Sequence, residues 1–299
     1  MNVSLQDRTG RQTGQAAVVD PVLAPVDGSE SQVRRDVFEL VESRERRRTH
    51  NARAVVVLPT YNERENLTEL IPAVLEDRRF DVLVVDDNSP DGTADAVEAL
   101  QADYPDRVHL IRRSGKLGLG TAYLEGFHWA LARDYDLICE MDADFSHDPH
   151  VLPRLADATG GADLVLGSRY VPGGKTVNWS TPRRILSRGG STYARTVLGL
   201  QYQDLTGGFK CFRRQVLESI NLDSVDSTGY AFQIEMTYRA HQAGFRVIEV
   251  PITFHERRAG CSKMNSSIIA EALFRVWLMR LPRRESAPFV KEHASRTAS

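Results

Sequence analysis

The chain alternates between short, uniformly apolar runs and longer segments with an apolar residue every three or four positions. The apolar runs are "AVVVLP" at 54–59, "DVLVVDD" at 81–87, "VHLIRR" at 108–113, "DLICEMD" at 136–142 and "ADLVLGSRY" at 162–170. Each has the length of a strand and ends in polar or glycine-rich sequence. Between them, "ENLTELIPAVLED" places Leu67, Leu70, Ile71, Val74 and Leu75 at helical spacing, and "TADAVEALQADY" and "TAYLEGFHWALARD" read as further helices. Strands without polar alternation are buried on both faces, and strands separated by helices pair in parallel through crossovers. The pattern predicts an α/β fold, a mostly parallel central sheet with helices on both faces, in one domain over residues 51–265. Past Gly174 the alternation weakens. There "FKCFRR" and "FRVIEVPITFHERR" read as strands, and "STYARTVLGL" and "GYAFQIEMTYRAHQAG" as helices.

The ends of the chain differ. Residues 1–50 are rich in Gln, Ser, Gly, Asp and Arg with few aromatics, which predicts a disordered tail with a transient helix over 38–48. Its Arg44–Arg48 run is either solvated or set against an anionic membrane surface. Residues 266–284 carry Ile268, Ile269, Ala272, Leu273, Val276 and Trp277 at helical spacing, with Leu278 and Leu281 widening the stripe among Arg275, Arg280, Arg283 and Arg284. This amphipathic helix either packs on its own core or lies in a membrane interface. Residues 285–299 read as a second disordered tail. No apolar run approaches the roughly 18 residues of a spanning helix, and no secretory signal is read at the start.

Bulk charge excludes one class of partner. A net charge of −2 gives no general attraction to nucleic acid. The cysteines, Cys139, Cys211 and Cys261, are widely spaced and form no C-x-x-C, so neither a zinc site nor a disulfide framework is expected, and a reducing cytoplasm fits.

The chemistry gathers at the strand ends: "PTYNE", "DDNSPDGT", "RRSGKLGLG", "DADFSHDP" and "GSRYVPGG". Open α/β sheets bind ligands at this edge. In "LICEMDADFSHDP", Asp142 and Asp144 repel each other unless a cation sits by them. Mg2+ or Mn2+ answers that need and leaves positions for the oxygens of a nucleotide diphosphate. Helix capping is the other use for such acids, and Asp148 before Pro149 suits it better. Asp86 and Asp87 end a strand, where a carboxylate accepts from a nucleobase N–H or a ribose hydroxyl. Asp91 and Gly92 read as a turn and Thr93 as a helix cap. Gly115, Gly118 and Gly120 match neither the dinucleotide fingerprint nor a phosphate loop of the Walker kind. They permit close backbone approach to a ligand or simply make a flexible tip; Lys116 beside them can meet a phosphate or an acid. Arg169, Lys175, Arg183, Arg184 and Arg188, then Arg257, Arg258 and Lys263, form a basic set whose forks match a second anionic substrate.

Taken together and in order, "PTYNE", "DDNSPDGT", "GKLGLGTA", "MDADFSHDP", "GSRYVPGG" and "RRAGCSK" resemble the family 2 inverting glycosyltransferases, and within them the polyprenol- or dolichol-phosphate mannose synthases. The resemblance spans residues 54–281. It implies a GT-A fold, GDP-mannose as donor, Mg2+ or Mn2+, a polyprenyl monophosphate as acceptor and inversion to a β-linked product. It places Pro59, Tyr61 and Glu63 in the nucleoside pocket, with Glu63 near the ribose, and Asp87 on the base. Asp142 and neighbouring Ala143 face the donor, and Asp144 is the main metal ligand. Ser146 stands where many relatives carry Gln, so water completes the metal set of Asp142, Asp144 and Ser146. Arg169, Arg183, Arg257 and Lys263 fall near the donor diphosphate and acceptor phosphate, with Ser262 positioning the last loop. The catalytic set so implied is Asp144, Arg169, Arg183 and Arg257. Glu235, a base in relatives with hydroxyl acceptors, here orients a basic residue. A lipid monophosphate is already anionic and attacks without a base. The resemblance also implies peripheral attachment to the cytoplasmic face of a membrane, through the amphipathic segment, the basic patches or a separate membrane-embedded partner. Competing readings are a UDP-glucose-dependent glucosyltransferase on the same lipid and a non-catalytic nucleotide-sugar-binding subunit. A nicotinamide enzyme is disfavoured, since no G-x-G-x-x-G follows the first strand.

Overall fold

The structure, a computed structural model, describes residues 51–227, 229–256 and 266–281. The two tails predicted to be disordered lie outside the described residues. The strands are β1 (Ala54–Thr60), β2 (Phe80–Asp86), β3 (Val108–Arg112), β4 (Leu137–Glu140), β5 (Leu164–Ser168), β6 (Lys175–Thr176), β7 (Lys210–Arg213), β8 (Val247–Pro251) and β9 (Thr253–Phe254). The described helices are α1 (Arg64–Leu75), α2 (Thr93–Asp103), α3 (Leu119–Leu131), α4 (Leu152–Ala158), α5 (Thr181–Leu198), α6 (Arg214–Ser219), α7 (Gly229–Gln242) and α8 (Ser266–Met279). Seven strands form one sheet in the order β3-β2-β1-β4-β7-β5-β8, and β6 pairs with β9 in a separate ribbon.

The sheet is mostly parallel, as the pattern predicts. One strand, β7, runs antiparallel between β4 and β5. Strand β1 shows why apolar runs were needed. Val55 and Val57 face one core with Tyr123 and Phe127 of α3, while Ala54, Val56 and Leu58 face a second core with Leu67, Leu70 and Ile71 of α1. All are fully buried, and each large aliphatic side chain contributes roughly 1.5–3 kcal/mol by leaving water.

Helix α3 lies unusually close to the sheet, because Gly126 presents no side chain there. A Cβ at this position would stand 2.4 Å from Val57 Cγ1. Gly126→Ala is therefore expected to destabilise the fold by about 1–3 kcal/mol through overpacking. The check is urea unfolding, with a lower midpoint at an unchanged slope.

Three boundaries differ from those read in the sequence. Helix α5 starts at Thr181, ten residues before the "STYARTVLGL" start, so Arg183, Arg184 and Arg188 lie on it rather than ahead of it. Gly189 and Gly190, each weakening a helix by about 1 kcal/mol, hid its first half. Ser180 precedes its first turn and Pro182 lies within it, a favoured start. The single strand read over 245–258 is two, because Pro251 ends β8 and the chain crosses to β9. The helix read over 266–284 ends at Met279. Its Val276 is buried, whereas Leu273, Phe274 and Trp277 are exposed, so only part of its apolar stripe packs on the core.

Candidate active site

Strand β4 delivers the acids. It ends at Glu140, and the chain continues through Met141 into Asp142, Ala143 and Asp144. Phe145 then takes a left-handed backbone with φ 59°, turning the chain so that the Ser146 N–H donates to Asp144 Oδ1 at 3.0 Å. Asp144, Ala143 and Ser146 are buried, and the Asp142 side chain keeps 34% of its surface exposed. The His255 N–H donates to the Ser146 carbonyl at 3.1 Å and ties this turn to the residue after β9.

Asp142, Asp144 and Ser146 form one side of an open cavity of about 960 Å³, and Arg169 and Arg183 line it too. The two charge types that the sequence separates by 25 residues or more thus meet in one space. Gly207 and Gly208 form its floor before β7, Tyr230 and Ile234 come from α7, and Leu186 of α5 with Leu273 and Val276 of α8 give it an apolar mouth.

The two arginines are held differently. Arg169 is buried and chelated by Asp204: Nε donates to Oδ2 at 2.7 Å, Nη2 to Oδ1 at 2.6 Å, and its backbone N–H to Oδ2 at 2.9 Å. Burial alone would lower its pKa, but Asp204 more than offsets this and holds it above the usual value. Arg183 lies over the Trp179 ring at 4.2 Å and donates to Glu256 at 2.9 Å, a partner whose side chain is 46% exposed. The other basic residues do not line the cavity. Arg184 donates to the Trp179 carbonyl, Arg188 lies over Tyr170, and Lys175 is exposed on β6. Arg257, Ser262 and Lys263 lie outside the described residues.

The residues expected around the nucleoside gather at the ends of β1, β2 and β3, beside the cavity along the same sheet edge. Pro59 is half-buried, and Lys116 sits with Nζ 3.7 Å from the Tyr61 ring centroid. Glu63 accepts from Asn66 Nδ2 at 2.7 Å, and its backbone N–H donates to Thr93 Oγ1. Asp87 is buried, paired through Oδ1 with Arg113 and through Oδ2 with the Gly118 N–H. Gly118 adopts φ 104°, a backbone that glycine permits, to make this contact. The sequence reading missed Arg113; its one signal was a second arginine at the end of an apolar run. Thr93 is not the helix cap. Gly92 holds that position, and Asp91 accepts from the Thr93 N–H.

Two buried groups behind the acids were also missed. Glu140 and Lys210 are almost fully buried with Nζ 3.9 Å from Oε2, and Lys210 donates to the Gln233 carbonyl at 2.7 Å. Burial pushes the Glu140 carboxyl up to about 7 and the Lys210 ammonium down to about 8. Glu235 does orient a basic residue: it accepts from Arg239, which in turn donates to the Ser224 and Asn221 carbonyls.

A mostly parallel GT-A sheet with paired acids at its ligand-binding edge, facing guanidinium groups, defines a glycosyltransferase. Residues 55–220 match the model of glycosyl transferase family 2, and the chain belongs to that family. It is 53% identical over 226 residues to the polyprenol monophosphomannose synthase of Mycolicibacterium smegmatis, covering 75% of this chain and 85% of that protein. It is 50% identical over 228 residues to the undecaprenyl-phosphate mannosyltransferase of Micrococcus luteus, covering 75% and 92%. Among solved structures it is similar to a mannosyltransferase from Pyrobaculum calidifontis in complex with GDP-Man and Mn2+, with a TM-score of 0.50 and 16% identity over 84% of this chain and 79% of that one. Among the described residues no helix is long and apolar enough to cross a membrane.

Proposed function

We propose that this glycosyltransferase moves mannose from GDP-mannose to a polyprenyl monophosphate, with inversion at the anomeric carbon, at the cytoplasmic face of a membrane. The single observation that carries the reading is the cavity that joins Asp142 and Asp144 to Arg169 and Arg183. The names of the two relatives support the sugar and the lipid, and the GDP-Man complex of the structural neighbour supports the donor.

The donor set fits a hard divalent ion. Asp142 and Asp144 supply carboxylate oxygens to one cavity, and Ser146 supplies a hydroxyl. Among the described residues no three His, Cys, Asp or Glu side chains are grouped to hold an ion by themselves, so a nucleotide diphosphate and water would complete the shell. Mg2+ or Mn2+ bound there would neutralise charge on the departing diphosphate.

The protein's own task is to bring two anions together. A lipid monophosphate has a second pKa of about 6, by analogy with phosphorylated side chains, and is a competent nucleophile near neutral pH. No side chain need take a proton from it. The guanidinium groups align it and offset its charge. Arg169 is already neutralised by Asp204, whereas the partner of Arg183 is half in water, so Arg183 carries more of the acceptor phosphate. Arg257, Ser262 and Lys263 complete the phosphate contacts by resemblance to the family. The apolar mouth suits the lipid. Ile185 on α5 and Phe274 and Trp277 on α8 are exposed at 67%, 62% and 52%, beside cavity-lining Leu186 and Leu273. Such a patch fits a membrane surface.

The test supplies purified protein with radiolabelled GDP-mannose or UDP-glucose, farnesyl phosphate, and Mn2+ or a chelator. Metal-dependent labelling from GDP-mannose is expected. Preferred labelling from UDP-glucose would replace the donor assignment, and no labelling from either would overturn the reading. In the same assay Arg183→Ala is expected to raise the acceptor KM on the order of 10–100-fold, the loss of a charged hydrogen bond, with little change in the donor KM.

A further inference from the structure

His147 follows the acids in the chain and has been given no role. It is fully buried, and neither ring nitrogen has a hydrogen-bond partner of proper geometry among the described residues. Its ring is clamped between Phe209, with centroids 4.7 Å apart, and the edge of Phe254, at 5.0 Å. The polar group facing it is Asp142: Nε2 stands 3.3 Å from Oδ2.

Leaving buried polar atoms without partners costs about 1–3 kcal/mol each, and a phenyl ring would fill this aromatic slot without that cost. The imidazole is therefore explained by its polarity rather than by its shape. The clamp prevents the ring from turning away, whereas the Asp142 side chain is one-third exposed and free to adjust. Hydrogen bonds at reaction centres are often misaligned in the free protein and tighten when the site is loaded. Ligating carboxylates are themselves held by neighbouring donors.

We propose that His147 is a positioning residue for Asp142: with the nucleotide diphosphate and its cation in the cavity, the Nε2–H aligns with the Asp142 carboxylate and fixes its orientation. The proposal rests on the metal–nucleotide part of the proposed function, and it is independent of the sugar and of the acceptor. The same Phe254 that clamps His147 also lies against Trp179 and within 5.3 Å of the Arg169 guanidinium, so the ring's setting is shared with the basic side of the cavity.

The test is Mn2+ binding in the presence of GDP, read by electron paramagnetic resonance, on the wild-type chain and on His147→Phe. The variant keeps the aromatic slot and is expected to unfold at the same or a higher temperature. Its Mn2+ Kd is expected to rise on the order of 10–100-fold, with GDP affinity in the absence of metal unchanged. Unchanged Mn2+ affinity in a folded variant overturns the proposal. A second measurement needs no variant: adding Mg2+ and GDP to the wild-type chain should bring up a slowly exchanging imidazole N–H resonance in a 15N spectrum, and its absence in the loaded protein overturns the proposal. Weakened Mn2+ binding in His147→Phe alongside no transfer to farnesyl phosphate would remove the acceptor assignment and leave the positioning role intact. Normal transfer by the wild type with unaltered Mn2+ binding by the variant would remove the positioning role alone.

Discussion

Asp204→Ala is expected to destabilise the protein by about 3–5 kcal/mol, because it strands the Arg169 charge in the interior. The Asp204 side chain has no exposed surface and that of Arg169 only 5%, so water cannot replace the lost carboxylate. Three donors of Arg169 lose their acceptor at once: Nε, Nη2 and the backbone N–H. Transfer activity should fall with stability, since Arg169 lines the cavity. Urea unfolding of wild type, Asp204→Ala and the double variant with Arg169→Met measures the effect. The double variant should recover part of the loss, because no buried charge is then left unpaired. Equal stability of wild type and Asp204→Ala would mean that the pair is open to solvent.

Asp144→Ala is expected to act in the opposite manner, on chemistry with little effect on the fold. The lost contact within the protein is the Ser146 N–H, worth roughly 1 kcal/mol. The lost charge sits where the donor diphosphate and its cation are proposed to bind, and removal of one such electrostatic partner typically lowers kcat about 100–1,000-fold. Product formation from GDP-mannose, measured beside the thermal unfolding midpoint, separates the two effects. Full activity in the alanine variant would support a binding subunit or a different metal set.

Much of the fold was legible because burial on both faces writes an unambiguous pattern. Strands β1 to β5 each coincide with an apolar run, and the acids at the end of β4 stand out against it. Direction is not written in such a run, so β7 looked no different from its parallel neighbours. Helix α5 was half hidden because Gly189, Gly190 and four charged or hydroxyl side chains between Arg183 and Arg188 gave no apolar stripe. Its packing is tertiary, through Ser191, Ala194 and Leu198. Pro251 was a readable break that outweighs the apolar residues around it.

The site was legible as a set of residue types and illegible as a set of pairs. Arg169 and Arg183 looked equivalent in sequence, yet one is chelated in the interior and the other reaches a surface glutamate. Asp204 lies in the polar "QYQDLTGG" stretch, 35 residues from the arginine it holds, and no local spacing announces that bond. Arg113 and Asp87 are likewise brought together by the adjacency of β2 and β3. His147 sat in plain view within "DADFSHDP", but its orphaned nitrogens are a property of Phe209 and Phe254 closing around it.

The central claim is that one cavity holds the diphosphate and the lipid phosphate together. The 31P resonance of farnesyl phosphate, recorded with the protein and excess GDP, tests it directly. Replacing Mg2+ by Mn2+ should broaden that line strongly with wild type and hardly at all with Asp144→Ala, since a paramagnetic ion at the acids lies close to phosphate held by Arg183. A line that stays sharp while farnesyl phosphate is bound would place the two anions in separate sites and contradict the claim.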